Sequence, residues 1–458
     1  MFNMKIEHAV EEHDKITIIT TGAKFVFNKS GDDGEIVMYQ RLGKERMLGR
    51  ILLQGSIKNL TLEAVEDDFV ILHMYKPGRL KIKINADSLI DFYSAFGING
   101  MSFIGNFKPQ YTASQSGDFL VMDEYGGIGF YPDMSHAGYE EVTSCFLGDA
   151  WRLMYPFKLG RGMLISLFPP RPWDAQISFD QRIIHHANKS CPYPSDEMIE
   201  HWSRFGNILI LHEENWLGKM TRRGLPCDIS TREGLDMDMP WANYHYIPRD
   251  EAEMRRVIDT AHRCGMKVLP YMSPYHGIAD GDMFQQKIGM VLGKYGVDGI
   301  YFDELFVGNN VKEAYTTITE TRKRHGDILL YMHCTGSNRF MYCPAVDTYA
   351  DCILRGEHLY PFDLNYLRYV ISGYNISNSI GYVCLEGPID FKRKLIDACL
   401  LVNARLPYWV PSDKEFGDMM ENVYFPKLEK LGLGEDVPLE IESLMQKDDQ
   451  QVDQFFIG

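Results

Sequence analysis

At 458 residues the chain is too long for one ordinary domain and long enough for two or three, each with a sizeable core. Hydrophobic residues make up 45% and charged residues 24%, the mix of a soluble globular protein and not of a disordered one. The formal net charge of −16, from 63 acidic against 47 basic residues, repels phosphate backbones and anionic lipid, which argues against nucleic acid and a membrane surface as partners.

Nine cysteines, Cys145, Cys191, Cys227, Cys264, Cys334, Cys343, Cys352, Cys384 and Cys399, are odd in number and scattered. No Cys-x-x-Cys pair occurs, so neither a zinc knuckle nor a disulfide framework is expected. Cys384 lies in the apolar run Gly381-Tyr382-Val383-Cys384-Leu385 and reads as a small buried residue. The start, Met1-Phe2-Asn3-Met4-Lys5, lacks the basic-then-apolar order of an export signal, and no apolar run is long enough to span a bilayer. A cytoplasmic protein is the expectation; the sequence is silent on oligomeric state.

From residue 1 to about 175, short runs rich in β-branched and aromatic residues alternate with Gly, Asp and Asn turns. Such runs are Lys15–Thr20, Lys24–Asn28, Phe69–Tyr75, Leu80–Ile84, Phe119–Met122 and Met163–Leu167. Ser30-Gly31-Asp32-Asp33-Gly34 and Tyr125-Gly126-Gly127 mark turns. An N-terminal antiparallel β-sandwich over 1–175 follows. Phe168-Pro169-Pro170-Arg171-Pro172-Trp173 reads as the linker.

Beyond about 180 the pattern changes to apolar runs alternating with helical segments. Eight runs read as strands: Arg182–Ala187, Asn207–His212, Lys267–Ser273, Gly299–Asp303, Ile328–His333, Thr348–Leu354, Ser379–Leu385 and Leu406–Val410. Helices are expected over Asp196–Phe205, capped by Ser195, and over Pro248–Cys264, which opens with acids and stops at Gly265. Others are expected over Asp282–Tyr295, Val311–His325, Asp363–Ser372 and Asp390–Asn403. Eight βα units predict a (β/α)8 TIM-type barrel over 176–412. An open doubly wound sheet would carry a Gly-x-Gly-x-x-Gly turn after its first strand, and none is present. Leu217–Tyr246, without a clear period, is expected over the mouth of the barrel. Residues 413–458 read as an acidic, irregular C-terminal extension.

In such a barrel the chemistry sits where strands end. Here these ends carry His185-His186, His212-Glu213-Glu214-Asn215-Trp216, Tyr271 with Tyr275-His276, Asp303-Glu304, His333, Arg355-Gly356-Glu357, Glu386 and Trp409. Charged groups beside apolar strands cost free energy unless paired or solvated, so polar groups at nearly every strand end suggest one shared pocket. Glycoside hydrolysis needs two carboxyl groups, one ionised and one carrying a proton. Adjacent strand residues face opposite ways, which favours Asp303 as the inward group and sets Glu304 apart from it. The partner across the mouth is Glu357, with Asp351 and Glu386 in reserve. An ion pair with Arg355 is the plainer role for Glu357, and capping of the next helix the plainer role for Asp303. His212, Glu213, His333, Arg355 and Glu386 suit hydrogen bonds to sugar hydroxyls. Trp216, Tyr271 and Trp409 suit stacking on a pyranose, though each also suits the core. No His-x-His or His-Glu-x-x-His spacing marks a metal site, and no cofactor is expected.

The order sandwich then barrel, with Asp298-Gly299-Ile300-Tyr301-Phe302-Asp303-Glu304 ending the fourth strand, resembles the glycoside hydrolases. In layout it is similar to the retaining α-glycosidases of families 31 and 36, whose nucleophilic aspartate ends the fourth strand and whose acid/base follows the sixth. The chain also resembles an uncharacterised group similar to family 123, through Ile210-Leu211-His212-Glu213, Tyr342-Cys343-Pro344-Ala345-Val346-Asp347 and Leu354-Arg355-Gly356-Glu357. The resemblance implies Asp303 as nucleophile and Glu357 as acid/base, with a glutamate where those α-glycosidases usually carry aspartate. A second resemblance, to the β-hexosaminidases of families 20 and 123, implies instead that the substrate's N-acetyl group attacks, with Asp303 orienting it and Glu304 as the acid. A carbohydrate-binding protein without catalysis is the alternative from another class.

Overall fold

The structure is a computed structural model. It describes residues 4–439 apart from 77–78, 97–99, 116–117, 133–142, 148–149, 157–161, 174–175, 217–245, 275–280, 304, 306–310, 335–342, 358–363, 373–378 and 385–386.

The N-terminal part is two antiparallel eight-stranded sheets. One runs in the order Ile6–Glu11, Lys15–Thr20, Ala23–Asn28, Gly34–Gln40, Arg46–Leu53, Gly100–Gly105, Ala150–Pro156 and Thr143–Leu147. The other runs in the order Tyr111–Gln115, Asp118–Asp123, Gly126–Pro132, Met163–Phe168, Leu89–Phe96, Arg79–Asn85, Phe69–Met74 and Thr61–Val65. Strands such as Lys15–Thr20 and Ala23–Asn28 alternate buried with half-buried residues, because only one face meets the core. That core is continuous from Ile16 through Phe103 and Phe130 to Leu167.

The C-terminal part is one curled sheet of eight parallel strands. We number them parallel strands 1 to 8: Ile183–His186, Ile208–Leu211, Lys267–Met272, Gly299–Phe302, Leu329–His333, Cys352–Arg355, Ile380–Val383 and Tyr408–Val410. All eight expected runs are present, seven of them shortened at one or both ends and the sixth starting at Cys352 and running one residue further, to Arg355. Strands 1, 2, 4, 6 and 7 are buried at every residue, as expected for strands covered on both faces. The sheet order runs from strand 7 through to strand 1 and then strand 8. A parallel bridge between Tyr382 and Arg405 joins the two ends, with Val383 N–H donating to the Arg405 carbonyl at 2.9 Å and Arg405 N–H to the Gly381 carbonyl at 2.8 Å.

The connecting helices follow their local signals. Ser195 Oγ caps Asp196–Trp202 by accepting from Met198 N–H. Asp250 caps Glu251–Arg263 by accepting from Ala252 and Glu253 N–H, so the helix starts later than the Pro248 expected. Gly281–Tyr295 ends on Gly296 at φ +69°, a left-handed position that glycine reaches without strain. Strand 4 then begins at Gly299, where a Cβ would lie 2.0 Å from the Leu329 carbonyl of strand 5. The stretch after 412, which reads as irregular, is helical over Lys414–Met419 and Phe425–Gly432 with a π-helical segment Met420–Tyr424 between them. Phe416, Met419, Met420, Tyr424, Phe425 and Leu428 bury its apolar stripe against the parallel sheet's core, which the acidic composition conceals.

The two parts share a core. Leu89, Tyr111, Leu120, Tyr131 and Phe168 of the antiparallel sheets belong to the same buried cluster as the parallel strands. The buried Asp87 accepts the hydroxyls of Tyr315 at 2.6 Å and Tyr349 at 2.8 Å, and Lys312 pairs with Asp91 at 3.1 Å. The antiparallel sheets thus brace the helix Val311–His325, which follows strand 4. Among the described residues no helix is long and apolar enough to cross a membrane.

Candidate functional site

The inward-facing side chains of the parallel strands are mostly aromatic. Tyr271, Tyr301, Tyr331 and Tyr382, from strands 3, 4, 5 and 7, form a chain of ring contacts with centroids 5.0–5.8 Å apart. Above this layer the alternation of strands 4 and 5 places Asp303 and His333 two residues on from Tyr301 and Tyr331, on the same face. His333 Nδ1 and Asp303 Oδ1 are 2.8 Å apart, and the Tyr301 hydroxyl lies 3.3 Å from the same nitrogen. The other nitrogen, His333 Nε2, is 3.4 Å from Glu357 Oε2, which follows strand 6. One imidazole therefore stands between the two carboxylates singled out from the sequence. The side chain of His333 is 8% exposed, that of Asp303 15% and that of Glu357 34%, so the pair runs from a buried acid to a solvent-facing one.

Burial disfavours a charged His333. The Asp303 carboxylate, its hydrogen bond and contacts with Cys384 nevertheless raise the imidazole well above its ordinary range, which favours its charged form. An imidazolium offsets the repulsion between carboxylates that would otherwise crowd the site. His212 repeats the pattern at the end of strand 2. Its Nδ1 is 3.1 Å from Glu214 Oε2. Burial lowers its pKa, but the Glu214 hydrogen bond and the charges of Glu213, Glu214 and Asp303 carry it up to about 9. Burial raises Glu214, and the His212 hydrogen bond and charge outweigh this and lower it.

His185, at the end of strand 1, is the contrasting case. Its ring is stacked on Trp409 at 3.8 Å and stands edge-on to Tyr301 at 5.0 Å. Burial, then the positive neighbours His212 and His333, push it well below the ordinary histidine range, so it is neutral. Neither of its ring nitrogens, nor Trp409 Nε1, nor the Tyr331 hydroxyl, has a hydrogen-bond partner among the described residues.

Asp303, His333, Glu357, His212, Glu213 and Trp409 thus surround one end of the parallel sheet, and Tyr271 lies beneath them, 1% exposed in the core. Trp216 is also core: its indole N–H donates to the Tyr271 carbonyl at 2.8 Å and its ring packs on Tyr246 and Tyr295. Arg355 is not brought to the site. It faces the outer helices, fully buried, with its guanidinium on the Asp347 carboxylate and on the Val370 carbonyl at 2.8 Å. Glu357 consequently faces His333, and the ion pair with Arg355 does not form. Asp351, the reserve carboxylate, sits before strand 6 at the opposite end, bonded to Arg322 at 2.7 Å and to Leu330 N–H at 2.8 Å. Glu304, Glu386, Tyr275, His276 and the insert 217–245 lie outside the described residues.

Among the described residues, two groups of side chains could hold a metal ion. The ligand atoms of His212, Glu213 and Glu214 lie within 4.8 Å of one another, as do those of His333, Glu357 and Cys384. Spacing alone does not reveal the second group, because its members come from three different strands. Sequence reasoning also passed over the roles of Cys384 and His185. The signal for Cys384 was its place at the end of an inward-facing strand two residues after Tyr382.

No family model matches the chain, and no curated protein sequence matches it. Solved structures do. A family 31 sulfoquinovosidase from E. rectale, in complex with an aza-sugar inhibitor, aligns over 93% of this chain and 82% of its own at 13% identity and a TM-score of 0.40. A glucosidase II α subunit aligns over 94% and 68% at 8% identity and a TM-score of 0.42. An uncharacterised protein from Listeria monocytogenes EGD-e, in complex with α-D-glucose, β-D-glucose, magnesium and calcium, aligns over 94% of this chain at 10% identity and a TM-score of 0.40. The chain spans 54% of the length of that protein. At these scores the functional reading rests on the side chains of this protein.

Proposed function

We propose that the chain is a glycoside hydrolase whose curled parallel sheet, residues 176–412, is a (β/α)8 barrel following a sandwich over 1–175 and carrying an extension over 413–458. Asp303 is the nucleophile and Glu357 the general acid/base of a retaining mechanism. The observation that supports this is the meeting of Asp303 and Glu357 on one imidazole. Their contacts with His333, at 2.8 and 3.4 Å, together with a ring roughly 2 Å across, cap the gap between the contacting oxygens at about 8 Å. That cap admits the ~5–5.5 Å of a retaining pair and also the lower part of the ~6.5–9.5 Å range of an inverting one, and it keeps both acids within reach of a single sugar.

In the first step the Asp303 carboxylate bonds to the anomeric carbon. The bond to the leaving oxygen breaks, and Glu357 gives that oxygen its proton. In the second step Glu357 takes a proton from water, whose oxygen displaces Asp303 and regenerates both groups. The buried acid is suited to attack and the exposed one to proton exchange with solvent. His333 positions both, and His212, Glu213 and Trp409 are placed to contact the sugar.

A panel of nitrophenyl glycosides tests this reading, with Glu357→Gln and Glu304→Gln beside the wild-type chain. Hydrolysis of one glycoside, lost in Glu357→Gln and restored by azide, is the expected result. Tight binding of a thiazoline inhibitor with loss of activity in Glu304→Gln alone would instead favour the substrate-assisted mechanism. No hydrolysis, with sugar binding retained, would leave only a binding role.

A further inference from the structure

Three side chains that the mechanism does not use together as a set converge beside its carboxylates. His333 Nε2 ends strand 5, the Glu357 carboxylate follows strand 6, and Cys384 Sγ follows strand 7. Their ligand atoms lie within 4.8 Å of one another. His333 Nε2 and Glu357 Oε2 are already 3.4 Å apart, close to the edge of a tetrahedron built on Zn–N and Zn–O bonds of ~2.0–2.1 Å. Bringing the thiol onto a Zn–S bond of ~2.3 Å takes a shift on the order of 1 Å. The other nitrogen of His333 is held by Asp303 at 2.8 Å, the carboxylate–histidine arrangement that orients a metal-binding imidazole. The carboxylate of Glu357 is open to solvent, which gives an ion a way in. One thiol, one imidazole and one carboxylate suit a zinc-class cation, whereas magnesium and calcium take oxygen ligands.

We propose that His333, Glu357 and Cys384 take a zinc-class divalent cation, and that this cation switches the glycosidase off. The inference of regulation rests on the reading of Glu357 as acid/base. Binding one cation displaces to solvent the proton of the Cys384 thiol, that on His333 Nε2 and that which Glu357 carries as the acid. Glu357, once a ligand, no longer carries a proton to the leaving oxygen. Cys384 serves the switch and not the reaction.

Equilibrium dialysis of the full chain against zinc sulfate tests this, beside the absorption spectrum with cobalt(II) and hydrolysis with and without zinc. The expected result is one zinc per chain, a thiolate-to-cobalt charge-transfer band, and activity lost as zinc fills the site. Cys384→Ser, with Cys384→Ala as a second variant, should weaken zinc binding and shift the inhibition midpoint by at least ~100-fold and abolish the band, inhibition being read against each variant's own zinc-free rate. Unaltered zinc affinity in both cysteine variants, or no zinc bound, overturns the cation site. Zinc bound through Cys384 with hydrolysis unaffected overturns the switch. Zinc bound with the cobalt band present, in a chain that hydrolyses no glycoside, sinks the glycosidase reading and leaves the cation site standing.

Discussion

Replacing Asp303 by Asn separates charge from shape at the centre of the site. Asparagine fills the same space and its carbonyl still accepts a hydrogen bond from His333 Nδ1, so the local packing survives. The charge does not. Burial opposes a protonated His333, and Asp303, 2.8 Å away, is the first of the groups that overcome it. Without that charge the imidazole has a lower pKa. It then loses a charge-assisted bond and keeps a neutral one, a stability cost on the order of 1–3 kcal/mol. Loss of the nucleophile is the larger effect. A rate loss of at least ~1,000-fold is expected, about 4 kcal/mol of transition-state stabilisation. The assay is kcat on the best nitrophenyl glycoside, read beside circular dichroism and the NMR titration of His333. Activity within tenfold of wild type in a folded variant, or a His333 titration unmoved, would refute the reasoning.

Two further outcomes follow from buried ion pairs. His212 should titrate with a midpoint of about 9, and Glu214→Gln should bring it toward the ordinary histidine value of about 6.5. The folded-state pKa of His212 is raised, so the pair's contribution to stability is full below the unfolded value and is lost as pH rises through about 9. The lowered Glu214 sets the other limit, since its contribution falls away as pH drops through the carboxylate range. A His212 midpoint near neutrality in the wild-type chain would contradict the geometry. Arg355→Met leaves the buried Asp347 carboxylate without its cation and should cost roughly 3 kcal/mol or more in denaturant unfolding. Zinc-free KM should stay within about twofold; a large KM increase without loss of stability would return Arg355 to the substrate site.

The parallel strands were legible because each is a short, largely buried apolar run closed by polar residues. The convergence of Asp303 and Glu357 was legible from the same endings, since strand ends share one rim. Arg355 was not. The alternation that turns Asp303 inward turns Arg355 outward, but its partner Asp347 lies on a four-residue helix, Pro344–Asp347, that carries no periodic signal of its own. His333 as the bridge between two carboxylates was equally hidden, because it depends on the register between strands 4, 5 and 6. The helices over 414–432 were masked by acidic residues on their solvent side, while Phe416, Tyr424 and Phe425 supply the buried side.

The claim on which the rest stands is that Asp303 bonds to the sugar. A 2-fluoro derivative of the preferred glycoside with an activated leaving group slows release of such a bond, and peptide mass spectrometry locates the sugar. The expected label is on Asp303, one per chain, with matching loss of activity. A label on another carboxylate, or steady hydrolysis of the parent glycoside with Asp303 never modified, would contradict the account.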